Sequence, residues 1–188
     1  MTVRICNVSQ KTLSSCLAIA EIQLGKGYLL EKDLLGTHVY SVCGVANGEV
    51  AGFAAGRILD RRCLAGPYPK LAEAVHDVLL RGDRIGVVAS VAVRQDLQRS
   101  GIGTALVQKV VQYFDDQNIT QAILLGWVAP DGVPIARIAS AMGFAEKAVV
   151  PECWYDDSLS RGYLCPACGY PPCRCSAVLY ARYRPDYR

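Results

Sequence analysis

The chain has 188 residues, 52% hydrophobic and 20% charged, with 20 Lys and Arg against 17 Asp and Glu for a net charge of +3. At about 150 residues per domain this is a single domain, residues 1–188, with room for a small annex, and its apolar content excludes wholesale disorder. The charge falls short of the basic excess of a nucleic-acid binder. The longest wholly apolar or small run, Ile85 to Val93, is half of the roughly 18 residues that a membrane-spanning helix needs. Met1 to Gln10 lacks the apolar core of an export signal, so a soluble, cytoplasmic protein without membrane or nucleic-acid partners is expected. In that reducing setting the nine cysteines point to metal or catalysis before disulfides.

Thr2 to Asn7 reads as a short strand. Lys11 to Gln23 reads as a helix with Leu13, Leu17, Ala20 and Leu24 along one face, broken by Gly25 and Gly27. His38 to Ala46 and Glu49 to Leu59 flank Asn47-Gly48, a strong hairpin signal. Arg61 to Pro69 is expected as a loop and Leu71 to Leu80 as a helix ending near Gly82. Arg84 to Val93, rich in Val and without helical period, suits a strand buried on both faces. After polar Arg94 to Ser100, the segment Gly101 to Asp116 carries Ile102, Ala105, Leu106, Val110 and Val111 on one side of a helix. Ile119 to Val128 is a strand, Pro134 to Met142 a short helix stopped by Gly143, Phe144 to Val150 a strand, and Ser176 to Tyr183 the last strand. Residues 151–176, without periodicity, form a cysteine-rich insert. The order of strands and helices predicts a mixed α/β class.

The sharpest motif of the body is Gln98-Arg99-Ser100-Gly101-Ile102-Gly103-Thr104, where a buried strand turns into a helix. Two glycines let backbone approach a ligand, and the unpaired N–H groups of the first helical turn favour an anion such as pyrophosphate. Alone, a glycine pair before a helix is as often a plain turn. No Gly-Lys-Ser/Thr follows and the third glycine of a dinucleotide fingerprint is missing, which weighs against nucleotide hydrolysis and hydride transfer.

The segment Val88 to Phe114, with its Val-Ala-Val strand end and Gln-x-x-Gly-x-Gly turn, resembles the acyl-CoA-binding motif of the GNAT acetyltransferase superfamily. Ala136 to Phe144, ending in Met142-Gly143-Phe144, is similar to that family's second helix. With the early hairpin, the resemblance spans most of residues 2–150 plus the last strand. It implies a mixed sheet splayed between Arg84–Val93 and Thr120–Val128, flanked by helices. Acetyl-CoA would be the cosubstrate, its pantetheine arm along Val91, Ala92 and Val93 and its pyrophosphate on Gln98, Arg99, Ser100, Gly101, Ile102, Gly103 and Thr104. The implied reaction is direct transfer of acetyl to a primary amine of a small molecule or peptide. A backbone N–H near Val91 would polarise the thioester carbonyl, and the amine must be neutral to attack.

The pattern departs from the family where protons move. The position that often holds Tyr, four residues before the Gly of Gly-Phe, is Ala139. A frequent Asn corresponds to Gly132, and strand positions that carry an acid or His in some members, near Val87 and Ala89, are apolar. No catalytic residue is assigned. Ser140, Tyr40, Tyr155, His38 and His76 are weak substitutes whose ordinary reading is packing or a solvated face. A catalytically weak acyl-CoA-binding regulatory module is therefore one alternative, and an adaptor working through the cysteine knuckle is another.

Cys165-Pro-Ala-Cys168-Gly169 followed by Cys173-Arg-Cys175 places four thiols in one short loop. A Cys-x-x-Cys-Gly turn directs two sulfurs to one point, and four soft ligands suit a structural Zn²⁺ whose closed shell leaves no position for catalysis. A redox pair, plain thiols or disulfides are the competing readings. Cys6, Cys16, Cys43 and Cys63 read as small core residues. Tyr163 and Tyr170, with Arg161 and Arg174, are expected on an exposed rim. The oligomeric state, a homodimer included, stays open.

Overall fold

The computed structural model describes residues 2–60, 62–63, 69–76, 83–129 and 131–184. Its elements are β1 (Val3–Asn7), α1 (Gln10–Gln23), α2 (Glu31–Leu35), β2 (Val39–Ala46), β3 (Glu49–Asp60), α3 (Pro69–His76), β4 (Arg84–Val93), α4 (Ile102–Asp116), β5 (Gln121–Trp127), α5 (Ala136–Ala141), β6 (Ala145–Val150), α6 (Tyr155–Arg161) and β7 (Ala177–Tyr183). One mixed seven-stranded sheet runs in the order β1-β2-β3-β4-β5-β7-β6. All neighbours are antiparallel except β4 and β5. Among the described residues no helix is long and apolar enough to cross a membrane.

Local chemistry sets these elements. Thr12 Oγ1 accepts from the Ser9 N–H at 3.0 Å at the start of α1, whose buried stripe is Leu13, Cys16, Ile19 and Ala20; Leu17 and Leu24 lie at its flanks. Asn47 and Gly48 both have positive φ, 52° and 83°, the geometry that a two-residue hairpin requires. α4 buries Leu106, Val107, Val110 and Phe114 on one face of the sheet together with α5. The other face is covered by α1 and α2 over β2–β4, and by α3 and the segment after β6 over β5 and β7.

Several expectations need adjustment. Gly101 caps α4 and does not belong to its helical turns, and α5 is two turns at most. α2 and α6 are short helices in stretches that showed no period. The expected end of the third helix, residues 77–80, and the His76 side chain lie outside the described residues. Cys16 and Cys43 are core residues, with Cys6 facing Cys43 at 3.7 Å between sulfurs across β1 and β2, but Cys63 is exposed.

The sheet forks at its centre. β4 pairs with β5 only through Gly86, Val87 and Val88, yet continues along β3 as far as Val93. The register against β3 shifts at this point: Gly56 faces Val88 and Ala55 faces Ser90, which leaves Ala89 as the extra residue of a bulge. A bulge bends the strand that carries it, and the two strands part here. The splay implied by the resemblance is present, with Gln121–Trp127 as its second arm.

Candidate active site

The glycine turn stands at the open end of the fork. After β4 a single 3-10 turn, Gln95–Leu97, leads to Arg99 and Gly101, both in the left-handed region with φ of 59° and 86°. The first helical hydrogen bond of α4 runs from the Ala105 N–H to the Gly101 carbonyl at 3.1 Å. The N–H groups of Gly101, Ile102, Gly103 and Thr104 thus precede the ladder and no side chain caps them. Arg99, Ser100 and Gly101 are exposed, while Ile102 is buried as the anchor of the turn. Arg94 is fixed by Asp96 at 2.7 Å and Glu49 at 2.7 Å. The Gln98 amide donates to Gln23 Oε1 at 3.0 Å and to the Val93 carbonyl at 3.2 Å, so this side chain ties the end of α1 to the end of β4.

The direction of the β4 main chain follows from one bond. The Arg94 N–H donates to Ala51 on β3, and alternate residues of a strand point their amides to opposite edges. Ala92 therefore faces β3, where its carbonyl crowds Gly52, while Val91 and Val93 face the fork. Gln98 reaching the Val93 carbonyl agrees with that direction. Of the three strand residues expected to contact the cofactor, Val91 and Val93 present their main chain to the gap; Ala92 does not.

Among the described residues, the substitute proton donors Tyr40 and Tyr155 are engaged elsewhere. Tyr40 stacks on Tyr113 at 4.2 Å, near the far end of α4, about 16 Å of helix away from the glycine turn. Tyr155 is half-buried beneath the Lys70 ammonium, 5.4 Å from its ring centre. His38 and Ser140 are exposed. Ala139 is 0% exposed in the core, and Gly132, with φ of 109°, serves a tight turn closed by paired bonds with Ala129.

A second wall of the site was not legible beforehand. The connection between β6 and β7 leaves the sheet beside Trp127, where the Val128 N–H meets the Ser176 carbonyl at 3.0 Å. It crosses to the loop between α1 and α2, where Leu164 donates to the Lys26 carbonyl at 2.9 Å. Asp33 receives Arg57 at 2.7 Å, Arg161 at 2.9 Å and the Leu30 N–H at 2.9 Å. Burial works against its ionisation, but these partners prevail and hold it below the usual carboxylate range. Asp157 behaves oppositely: burial lifts its pKa, with Arg161 offsetting only part. Tyr163 was expected on the rim; it is 3% exposed and packs edge-on against Tyr28 at 5.0 Å. Asp157 and Arg161, four apart before Gly162, are the helix signal that was available.

The four thiols converge. Cys165 and Cys168 lie 3.7 and 3.5 Å from Cys175 between sulfurs, and all four sulfurs are within 4.8 Å of one another. A disulfide needs about 2.05 Å, and all nine cysteines are free. Main-chain N–H groups of Cys168 and Arg174 point at the sulfurs of Cys165 and Cys168, at 3.5 and 3.4 Å. The Trp127 indole opposes the upward shift that burial imposes on the Cys175 thiol. The turn is closed by reciprocal bonds between Cys165 and Gly169, and the Cys173 N–H donates to Ser158 Oγ on α6 at 2.7 Å.

Comparison with known proteins gives one family and a set of folds. A family model described as the acetyltransferase (GNAT) family matches residues 11–144. No curated protein sequence matches the chain. The structure of Arabidopsis thaliana NAA60 in complex with a bisubstrate analogue aligns with a TM-score of 0.70 and 16% identity, over 97% of this chain and 98% of that one. Ard1 from Thermoplasma volcanium aligns with 0.63 and 18%, over 97% and 98%. The Drosophila melanogaster polyamine N acetyltransferase aligns with 0.63 and 15%, over 97% and 100%. At these identities the likeness is one of fold.

Proposed function

Because this chain belongs to the acetyltransferase (GNAT) family, we propose that it transfers acetyl from acetyl-CoA to a primary amine, of a small molecule or a peptide, in one direct step. The carrying observation is the forked sheet, with Val91 and Val93 main chain turned into the gap and the glycine turn at its mouth. The pyrophosphate would rest on the N–H groups from Arg99 to Thr104, with Gln98 positioning the strand end, and the pantetheine arm would pair with Val91 and Val93.

In this reading the amine nitrogen attacks the thioester carbon, and negative charge builds on the carbonyl oxygen. The Val91 N–H stabilises it in a gap of low dielectric. The C–S bond then breaks, and the proton lost by the nitrogen reaches the departing sulfur through water. With Ala139 buried and Gly132 committed to a turn, no side chain from those two positions handles that proton. The same observation favours the second reading, a regulatory module that binds acetyl-CoA with little turnover.

The insert is read as a structural Zn²⁺ site formed by Cys165, Cys168, Cys173 and Cys175. Zinc bound to sulfur at about 2.3 Å in a tetrahedron spaces its ligands about 3.8 Å apart, which the Cys165–Cys175 and Cys168–Cys175 pairs already approach. The Cys168 and Arg174 N–H groups aimed at sulfur are the support that such thiolate ligands need. The ion would hold the loop and supply no chemistry to the reaction. Nine free cysteines suit a reducing compartment, the cytoplasm.

Calorimetry with acetyl-CoA, followed by thioester consumption across a panel of polyamines and peptides with free amino termini, tests the function. Binding and turnover support the transferase, and binding without turnover supports the module. No binding at millimolar acetyl-CoA refutes both.

A further inference from the structure

Resting on the transferase reading, we infer that the thiolate centre governs acceptor binding: an ion held by its four sulfurs pins the α1–α2 loop across the fork, leaving the acetyl-CoA side untouched. The two walls involved start on opposite arms. Gln23, the last residue of α1, is tied to Gln98 beyond β4, whereas the insert returns to the sheet at Ala177, which faces Trp127 at the end of β5. They meet opposite the face that carries α4, so the route left for an acceptor approaching the fork passes their junction.

That junction is built from residues next to the thiols. Leu164, which donates to Lys26, immediately precedes Cys165. Gly25 lies so close that a Cβ there would sit 2.1 Å from the Leu164 carbonyl oxygen. Tyr163 meets Tyr28, and Arg161 donates to the Tyr28 carbonyl at 2.7 Å. Between Gly162 and Ser176 there is neither helix nor strand, only the bridge from Cys165 to Gly169. Chain without its own ladder takes its order from what its side chains grip, and here that is the sulfur cluster. Ser176, next to Cys175, accepts from the Val128 N–H at 3.0 Å and so couples the cluster to the tip of β5.

The test compares protein loaded with Zn²⁺, protein stripped by a chelator, and stripped protein given Zn²⁺ again. Metal content, acetyl-CoA affinity, and kcat and KM for spermidine and for a pool of peptides with free amino termini are measured. Stripping is expected to raise acceptor KM at least tenfold, to leave acetyl-CoA affinity within twofold, and to be reversed by Zn²⁺. Trypsin should cut after Lys26 only in the stripped form, a readout that needs no turnover. The emission of Trp127 and Trp154, the chain's two tryptophans, should move to the red. Gly25→Ala, which wedges the junction without touching a thiol, should raise KM likewise while metal stays bound. Unchanged KM and unchanged cleavage after stripping overturn the inference, as does the absence of bound metal or a parallel loss of acetyl-CoA affinity. Failure of the loaded protein to bind acetyl-CoA instead defeats the parent reading, and this one with it.

Discussion

Gly101 and Gly103 are glycines for opposite reasons, although a single residue separates them. Gly101 has φ of 86° and open space around the position of a Cβ; a Cβ on Gly103 would lie 3.1 Å from Ile138 and 3.6 Å from Val93. The first is a conformational demand and the second a steric one. Gly101→Ala should cost about 1 kcal/mol of stability, the strain of a left-handed residue, and weaken acetyl-CoA modestly. Gly103→Val should weaken acetyl-CoA at least tenfold, because its branches fill the turn and press on α5. Calorimetry beside thermal unfolding separates the two, and equal effects of both changes would contradict this division.

Asp33 and Asp157 should pull stability in opposite directions with pH. Asp33 has a lowered pKa in the fold, so its contribution is present above the unfolded value of about 3.9 and is lost as pH falls through the lower folded value. The pKa of Asp157 is raised; the stability of its neutral form is present below about 3.9 and is lost as pH climbs through the raised value. Asp33→Asn should destabilise by about 3 kcal/mol at pH 7, since it removes the buried carboxylate that Arg57 and Arg161 share, with the gap narrowing toward pH 3. Asp157→Asn should be neutral or stabilising at pH 7 and converge on the parent in acid. Melting curves from pH 3 to 8 check both signs.

Metal capture by the insert should release protons. Burial pushes Cys175 up to about 11, the Trp127 indole opposing, and raises Cys173 as well. Ligands must be thiolates, so affinity for Zn²⁺ should fall at least tenfold per pH unit below neutrality. Co²⁺ should give the intense visible bands of a tetrahedral thiolate site, and Cys168→Ser should weaken them. A flat pH profile, or bands without thiolate character, would exclude the four-sulfur assignment.

Phe114 rests on two strands at positions without side chains. A Cβ on Gly86 would come within 2.7 Å of its ring, and one on Gly56 within 2.4 Å of Val110 and 2.9 Å of Phe114. Gly86→Ala and Gly56→Ala should each cost about 1–3 kcal/mol by overpacking, and Phe114→Ala about 3–5 kcal/mol. Combining Gly86→Ala with Phe114→Leu should cost less than the sum of the two single changes in denaturant titrations.

The sheet, its hairpin and α4 were legible because their signals are local: alternation in Val39–Ala46, Asn-Gly in the turn, and a repeating apolar stripe from Ile102 to Phe114. The glycine turn was legible because its chemistry belongs to the main chain, and glycine is where main chain announces itself in a sequence. α2 and α6, of five and seven residues, are too short for a period to emerge, and they are held to each other by a tertiary ion pair, Asp33 with Arg161. Tyr163 was misjudged for the same cause, since what buries it is Tyr28, distant in the chain. The fork came from the family resemblance; its physical origin, the extra residue at Ala89, leaves no mark in a run of small apolar side chains.

Strand borders at the rim of a sheet tempt foreign chains to stick, and proteins guard them with charge, proline or distortion. Beyond Val88 this molecule keeps such a border in its interior, shielded above and below by α4 and α1. An extended guest can be recognised there through peptide groups alone. Substitutions at Val91 or Val93 that keep bulk and backbone shape should therefore pass almost unnoticed in a saturation library, while deletion of Ala89 would realign the strand and close the slot.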